Sequence, residues 1–264
     1  MAICPGLYHL TEARDGLLAR VRLIGGRLSA SQLLALAEAA EQFGNGRIDV
    51  THRANLQVRG LSATAAPAFA EAMVANGLAT TNRARDRLRN IAAPPLAGLD
   101  PRELVDVSPV AHALDQSLLS APGLDGLSPK FSFLVDGGGD HGIAGLAHDL
   151  GFLAEASDAG GPIDYRISLA SRATDWLVAA AGVTAFAVAL AGECAAATGD
   201  RRRVAGLLAE LGADGLIARL ANRIAESPPP YRRPRVDGRA QAYQSLPNGQ
   251  LPVTSSVNGS AAVA

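Results

Sequence analysis

The chain has 264 residues, of which 48% are hydrophobic and 19% are charged, and its formal net charge is -1. This composition predicts a soluble globular protein with a substantial core and excludes a chain that is disordered throughout. The small net charge provides no long-range attraction for nucleic acid or an anionic membrane. No apolar run reaches the length of a bilayer span and no leader opens the chain, so we expect a cytoplasmic protein without nucleic-acid or membrane partners.

The first 79 residues predict a unit with the element order β-α-β-β-α. Such a unit is ferredoxin-like: its helices cover one face of an antiparallel sheet, and the opposite face stays open for a ligand. The first helix is marked by a capping box at its start and by a glycine-rich turn at its end. The predicted elements are a strand over 17–24, a helix from Ser29 and Gln32 to Gly44, strands over 47–51 and 55–59 with a bend near His52, and a helix over 65–75.

A row of polar side chains follows the last of these strands. In an extended chain with a period of two residues, Thr51, Arg53, Asn55 and Gln57 fall on one face. Because the other face of the strand meets the core, this row would border the open side of the sheet. Its hydrogen-bonding groups and its single cation suit a ligand that carries several carboxylates. The alternative is a set of ordinary polar residues at a sheet edge.

Residues 80–226 predict a second unit of mixed α/β character, whose first part is rich in loops and in arginine. A glycine-rich segment, Asp136–Gly142, precedes a predicted strand rather than a helix, so we interpret it as a hairpin turn and not as a phosphate site. We interpret Arg201–Arg203 as the solvated first turn of a helix. The predicted strands cover 131–135, 143–156 and 163–169 with a turn at 157–162, and the predicted helices cover 108–120, 183–198, 201–211 and 214–225, the last two capped by Asp200 and Asp214.

The composition changes after residue 226. Residues 227–264 are rich in Pro, Arg, Ser, Gly and Asn and show no apolar period. Such a segment cannot bury enough apolar surface to offset the entropy of ordering, so we predict a disordered tail. The expected fold is therefore α+β, with a half-domain at 1–79, a mixed α/β domain at 80–226 and the tail at 227–264.

Four segments together resemble the nitrite and sulfite reductase superfamily and, within it, the precorrin-3B synthase family of cobalamin biosynthesis. They occur in the order of the family, and the resemblance covers roughly residues 12–225. One of them contains Lys130, the only lysine among the 24 basic residues of the chain. The segments are Thr51–Gln57, Arg89-Asn90-Ile91 followed by Pro94, Gly98–Pro101, and Leu127–Gly138.

The resemblance implies an oxidoreductase that acts on the tetrapyrrole precorrin-3A by oxygen-dependent hydroxylation and lactone formation. It also implies that Arg53, Arg89 and Lys130 contact the carboxylates of the substrate, with the polar row beside them. The alternative for each cation is a solvated or ion-paired side chain. The sequence identifies no catalytic residue.

The cofactors of the family fit this chain poorly. Members of the family bind a [4Fe-4S] cluster through four cysteines of a second half, whereas Cys4 and Cys194 are the only cysteines here and match no metal-ligand spacing. Siroheme is not expected either, because siroheme enzymes often carry a second lysine where Ser132 stands.

Three interpretations of the missing half remain open. The chain is truncated, a separate chain supplies the second half, or the chain binds tetrapyrrole without a redox step. The function expected first is that of a precorrin-3B synthase-like enzyme. The alternatives are a non-catalytic tetrapyrrole-binding or assembly subunit and a fragment of a siroheme-dependent nitrite or sulfite reductase.

Overall fold

A computed structural model describes residues 5–156, 161–224 and 227–233 of the chain. These residues form two units, each with its own sheet and its own hydrophobic core. The predicted α+β fold class is confirmed. In the part of the chain that is described, every helix is too short or too polar to cross a bilayer.

The first unit is a four-stranded antiparallel sheet covered by two helices. Its strand order is β1-β2-β4-β3. The first helix begins at the predicted capping box, in which Ser29 and Gln32 each accept a hydrogen bond from the backbone of the other, and Gly44 ends it. The elements are β1 (Thr11–Ala13), β2 (Gly16–Val21), α1 (Ala30–Phe43), β3 (Ile48–Val50), β4 (Leu56–Leu61) and α2 (Ala66–Ala75).

The second unit is built on a six-stranded mixed sheet. Its strand order is β10-β9-β8-β7-β6-β5, in which β5, β6 and β7 run parallel and the remaining pairs are antiparallel. The elements are α3 (Arg83–Asp86), β5 (Ile91–Ala92), α4 (Ser108–Ser120), β6 (Phe133–Asp136), β7 (Leu150–Glu155), β8 (Asp164–Leu169), β9 (Arg172–Ala179), α5 (Val183–Ala196), α6 (Val204–Ala221) and β10 (Tyr231–Arg232).

The predicted hairpin after β6 is wrong, because β6 and β7 are parallel. The segment between them is a crossover that must satisfy its own backbone groups. The buried carboxylate of Asp136 does part of this, since it accepts hydrogen bonds from the backbone N–H of Gly138 at 2.8 Å and of Ile143 at 2.5 Å. The predicted strand over 143–156 therefore begins only at Leu150.

The helices at the end of the second unit differ from the prediction in their caps. A break does occur inside α6, at Gly212 with φ of 65°, but neither predicted aspartate cap forms. Asp200 lies in a 3-10 turn before α6, and Asp214 instead accepts a hydrogen bond from the indole N–H of Trp176 at 2.7 Å. Strand β9, which contains Trp176, was not predicted.

The seven residues 227–233 do not belong to a disordered tail, so this part of the prediction is wrong. Tyr231 and Arg232 form β10 on the edge of β9. The backbone N–H of Arg233 donates to Asp175 O, and its side chain donates to a carboxylate oxygen of Glu155 at 2.8 Å. The rest of the predicted tail, 234–264, and residues 157–160 of the predicted turn lie outside the described residues.

We expect a chain that ends at residue 226 to be less stable than one that ends at residue 233. The shorter chain loses β10 and leaves the buried Arg166 without its bond to Arg233 O. Each lost hydrogen bond of this kind costs about 0.5–1.5 kcal/mol, so the free energy of unfolding should fall by about 1–3 kcal/mol. Urea denaturation of both chains measures the difference, and equal midpoints would contradict a structural role for β10.

Candidate functional site

The starts of β5, β6 and β7 meet at one edge of the second sheet, because these strands are parallel. Hydrogen bonds tie the residues just before them together. The backbone O of Asn90 accepts from Phe133 N at 2.9 Å, and the backbone O of Ser132 accepts from Asp149 N at 3.0 Å. We call this place the strand-entry edge and define it by Arg89–Asn90, Lys130–Ser132 and Ala147–Asp149.

Arg53 reaches the strand-entry edge from the first unit. Its guanidinium Nη2 donates a hydrogen bond to the backbone O of Ala147 at 3.0 Å. The arginine lies in a tight turn between β3 and β4, where Thr51 N donates to Asn55 O at 2.8 Å and Ala54 has a left-handed φ of 53°. This turn therefore carries a cation to the place where the second sheet begins.

The polar row does not lie on one strand face, so this prediction is wrong. The chain turns at residues 51–55, and only Gln57 lies in a strand. The Thr51 hydroxyl accepts from Asn55 N at 3.1 Å, which closes the turn. Asn55 is buried, and its side-chain oxygen accepts from Leu23 N at 3.0 Å. Thr51 and Asn55 thus shape the turn that presents Arg53, and ligand contact by either of them or by Gln57 stays a prediction.

Arg89 is buried in an ion pair rather than directed at solvent. Its Nε and Nη2 donate to the two carboxylate oxygens of Asp115 on α4 at 2.9 and 3.3 Å, and its Nη1 donates to Leu78 O at 3.4 Å. Asp86 lies 3.8 Å from the same guanidinium, and burial raises the pKa of this second carboxyl. In this arrangement Arg89 joins the two units, and its predicted contact with a ligand is not tested.

Lys130 is exposed beside the strand-entry edge. Its backbone N–H donates to the hydroxyl of Ser128 at 3.2 Å, and the next residue, the buried Phe131, donates its N–H to Ser128 O at 2.9 Å. The main chain at Lys130 is therefore held in a turn against the core, while the ammonium group stands in water. Lys130 and Arg53 therefore both lie at the strand-entry edge. The guanidinium of Arg89 is instead bound to Asp115.

The sequence analysis did not predict the role of Asp149, whose carboxylate accepts several hydrogen bonds at this edge. It accepts from Ser132 N at 3.0 Å and from Nε and Nη2 of Arg203 at 2.6 and 2.8 Å. Asp149 is buried, whereas the side chain of Arg203 is 41% exposed and can also face a ligand. No spacing in the sequence links residues this far apart, so only the fold reveals the pair.

The interpretation of Arg201–Arg203 as a solvated turn is correct for the exposed Arg201 and Arg202 and wrong for Arg203, which is partly buried. Arg201 is exposed and lies 3.4 Å from Glu210. Arg202 donates to the backbone O of Gly126, and Arg203 binds Asp149. Two of the three guanidinium groups therefore hold segments close to Lys130.

His148 connects the strand-entry edge to the sheet. The ring is buried, with Nδ1 2.7 Å from Leu146 O and Nε2 2.8 Å from the Ser168 hydroxyl. These partners fit a neutral imidazole that donates from Nδ1 and accepts at Nε2. Burial lowers the pKa of His148, and this effect outweighs the opposing contact with Leu146 O and the opposing charge of Asp149.

The described residues do not fit an iron–sulfur cluster. They contain no group of three or more His, Cys, Asp or Glu side chains that could hold a metal ion. Cys194 is buried in α5, burial raises the pKa of its thiol to about 12, and this one described thiol cannot supply the four thiolates of a cluster. Cys4 lies outside the described residues. The chemistry available at this edge is the binding of carboxylates by Lys130, Arg53 and Arg203.

Two family models match the chain. The model described as the nitrite/sulfite reductase ferredoxin-like half domain matches residues 9–76, and the model described as the nitrite and sulphite reductase 4Fe-4S domain matches residues 84–225. These matches confirm the resemblance that the four sequence segments indicate.

Similar proteins are about three times as long as the matched part of this chain. A precorrin-3B synthase from Sinorhizobium sp is 38% identical over 177 residues, which cover 65% of this chain and 36% of that protein. A ferredoxin–nitrite reductase from Synechococcus elongatus is 37% identical over 158 residues, which cover 58% of this chain and 31% of that protein. The solved structure of the Mycobacterium tuberculosis NirA protein shares the fold with a TM-score of 0.67 at 20% identity, covering 83% of this chain and 42% of that one.

We expect Arg89→Ala to destabilise the protein. The substitution leaves the buried carboxylates of Asp115 and Asp86 without their common cation, which costs about 3–5 kcal/mol for a buried pair. The matched control is Arg83→Ala on the short helix α3 that precedes Arg89. The exposed side chain of Arg83 stacks on the Tyr8 ring, and its loss should cost about 1 kcal/mol or less. Urea denaturation measures both values, and equal losses would contradict the structural role of Arg89.

Stability should fall when the pH drops below the ordinary histidine pKa of 6.5. Because the folded-state pKa of His148 is lowered, the unfolded chain binds the proton more readily, and this group's contribution is complete above 6.5 and lost at lower pH. The contribution of His148 changes the free energy of unfolding by at most about 1.4 kcal/mol per pH unit. Denaturation at pH 7.5 and 5.5 should show a smaller pH effect in His148→Gln than in the exposed-site control His52→Gln. The same pH effect in both variants would contradict the attribution of this pH dependence to His148.

Proposed function

The chain belongs to the nitrite and sulphite reductase 4Fe-4S domain family, and from this premise we propose that it is the tetrapyrrole-binding part of a precorrin-3B synthase-like oxidoreductase. It would bind precorrin-3A in the cytoplasm. The observation that carries the proposal is that Arg53, from the first unit, contacts Ala147 O at the strand-entry edge, to which the exposed Lys130 also belongs.

The strand-entry edge suits a ligand with several carboxylates. Lys130 offers a compact ammonium, and the partly exposed Arg203 offers a guanidinium that Asp149 holds in place. Arg53 adds a second guanidinium from the opposite unit, so the cations approach the edge from both sides. A tetrapyrrole with acetate and propionate groups around its rim would use such separated cations, whereas a single small anion would need only one of them.

A separate chain that supplies the missing half is part of the proposal. The chain spans 36% of the similar precorrin-3B synthase. Among the described strands, β3 stands at an edge of its sheet, and its Val50 is 76% exposed. An exposed strand edge with an apolar side chain invites pairing with another chain, which supports this part of the proposal.

A non-catalytic tetrapyrrole-binding or assembly subunit is the second candidate, and the cysteine count favours it. Two cysteines, one of them a buried thiol with a raised pKa, do not supply four thiolates. A siroheme-dependent reductase fragment is less well supported, because Ser132 is buried and its N–H is bonded to Asp149. Iron and acid-labile sulfide after anaerobic purification test the second candidate, because about four of each per chain would exclude it.

We expect Lys130→Ala and Arg53→Ala each to weaken binding of uroporphyrinoids about ten- to a hundred-fold, because each removes a charge-assisted contact worth about 1.5–3 kcal/mol. Fluorescence quenching measures the affinities. The matched control is Arg102→Ala. The exposed Arg102 pairs with Asp140, which follows the end of β6, whereas Lys130 precedes the start of that strand. Unchanged affinity in both site variants, or an equal loss in the control, would overturn the proposed site.

A further inference from the structure

The loop that presents Lys130 is irregular but firmly packed. We call residues Ala121–Lys130, between α4 and β6, the lysine loop. It contains no helix or strand, yet the side chains of Leu124 and Leu127 are fully buried in the core of the second unit. Leu127 N also donates to Leu124 O at 3.0 Å, which closes a turn inside the loop. A surface loop with this much buried apolar contact has few conformations available.

Arginines hold this loop from two different directions. From α3 and the residue that follows it, Arg85 lies 3.6 Å from the carboxylate of Asp125 and Arg87 donates to Asp125 O. From the 3-10 turn before α6, Arg202 donates to Gly126 O. Two of these contacts end on backbone carbonyls, so they fix the main chain itself.

Gly126 has no space for a side chain at this point. A Cβ built on it would lie 2.2 Å from the backbone O of Ala195 near the end of α5. The loop is therefore pressed against α5 on one side while Arg87 and Arg202 hold its carbonyls. Only glycine permits so close an approach of two backbones.

We propose that Arg87 and Arg202 are positioning residues for Lys130, which fix the lysine loop before a carboxylate ligand arrives. The proposal deepens the proposed function and rests on it for the identity of the ligand. Lysine has a flexible side chain, so the position of its main chain decides where the ammonium can reach. A loop ordered in advance does not lose its conformational freedom on binding, and the affinity is correspondingly higher.

The contacts continue from these carbonyls to Lys130 itself. Ser128 accepts from Lys130 N and from Phe131 N, and Asn90 donates to Phe131 O at 3.2 Å. The main chain from Asp125 to Phe131 is thus bonded at nearly every step. Removing Arg87 or Arg202 loosens the start of this series while leaving Lys130 and its charge in place.

The single lysine of the sequence allows a direct test. Reductive methylation with carbon-13 labels only the side chain of Lys130 and the N-terminal amine, so the NMR line width of one methyl signal reports the mobility of Lys130. The variants are Arg87→Ala, Arg202→Ala and both together. The matched control is Arg201→Ala, which removes the neighbouring exposed guanidinium without touching the loop contacts.

We expect a narrower Lys130 methyl signal and an affinity for uroporphyrinoids about three- to ten-fold lower in each positioning variant, with no change in the control. Arg202→Lys keeps a donor of similar reach and should restore the affinity. Thermal denaturation checks the fold, and if the double variant does not fold, the single variants decide. Unchanged line widths in folded variants would overturn the proposal, as would an equal change in Arg201→Ala.

The two hypotheses fail in different ways. If Lys130→Ala leaves the affinity for uroporphyrinoids unchanged, the proposed role of Lys130 in binding is wrong. The line width of the Lys130 methyl signal in the positioning variants still reports whether Arg87 and Arg202 order the loop. If Lys130→Ala weakens binding but the positioning variants affect neither the line width nor the affinity, only the positioning role is wrong.

Discussion

The parallel pairing of β6 with β7 is the constraint on which the site depends. In a hairpin, the start of β7 would lie beside the end of β6, and Asp149 would be at the opposite end of the sheet from Lys130. In the parallel arrangement Ser132 and Asp149 are bonded neighbours, and Ala147, which receives Arg53, comes to the same edge. The convergence of cations from two units therefore follows from the direction of one strand.

This pairing needs carboxylates at both ends of the strands. The crossover between β6 and β7 has no helix, so its backbone N–H groups lack regular partners. Asp136 accepts two of them where β6 ends, and Asp149 accepts Ser132 N where β6 is about to begin. Both carboxylates are buried, and a buried acceptor is stable only when it is satisfied. These aspartates thus stabilise the sheet, and they do so without pairing with the exposed Lys130.

Local signals in the sequence predicted the elements that local contacts stabilise. The capping box of Ser29 and Gln32 and the helix end at Gly44 are found as expected, because both depend on neighbours within four residues. The alternation from Thr51 to Gln57 was misleading, since a period of two cannot reveal that the chain turns at Ala54 with a positive φ. The parallel register of β6 and β7 depends on contacts between distant residues, which periodicity does not encode.

The same limit applies to the basic residues, because a sequence identifies a cation but not the carboxylate that it faces. Arg89 and Lys130 both belong to segments that resemble the family, yet Asp115 holds one in the interior and the other stands in water. For Arg89 to reach a ligand it would have to leave Asp115, and separating a buried pair costs about 3–5 kcal/mol, more than one charge-assisted contact of about 1.5–3 kcal/mol returns. Lys130 breaks no such pair. Affinity should therefore depend on the exposed cations, and the buried one should hold the two units in the arrangement that brings them together.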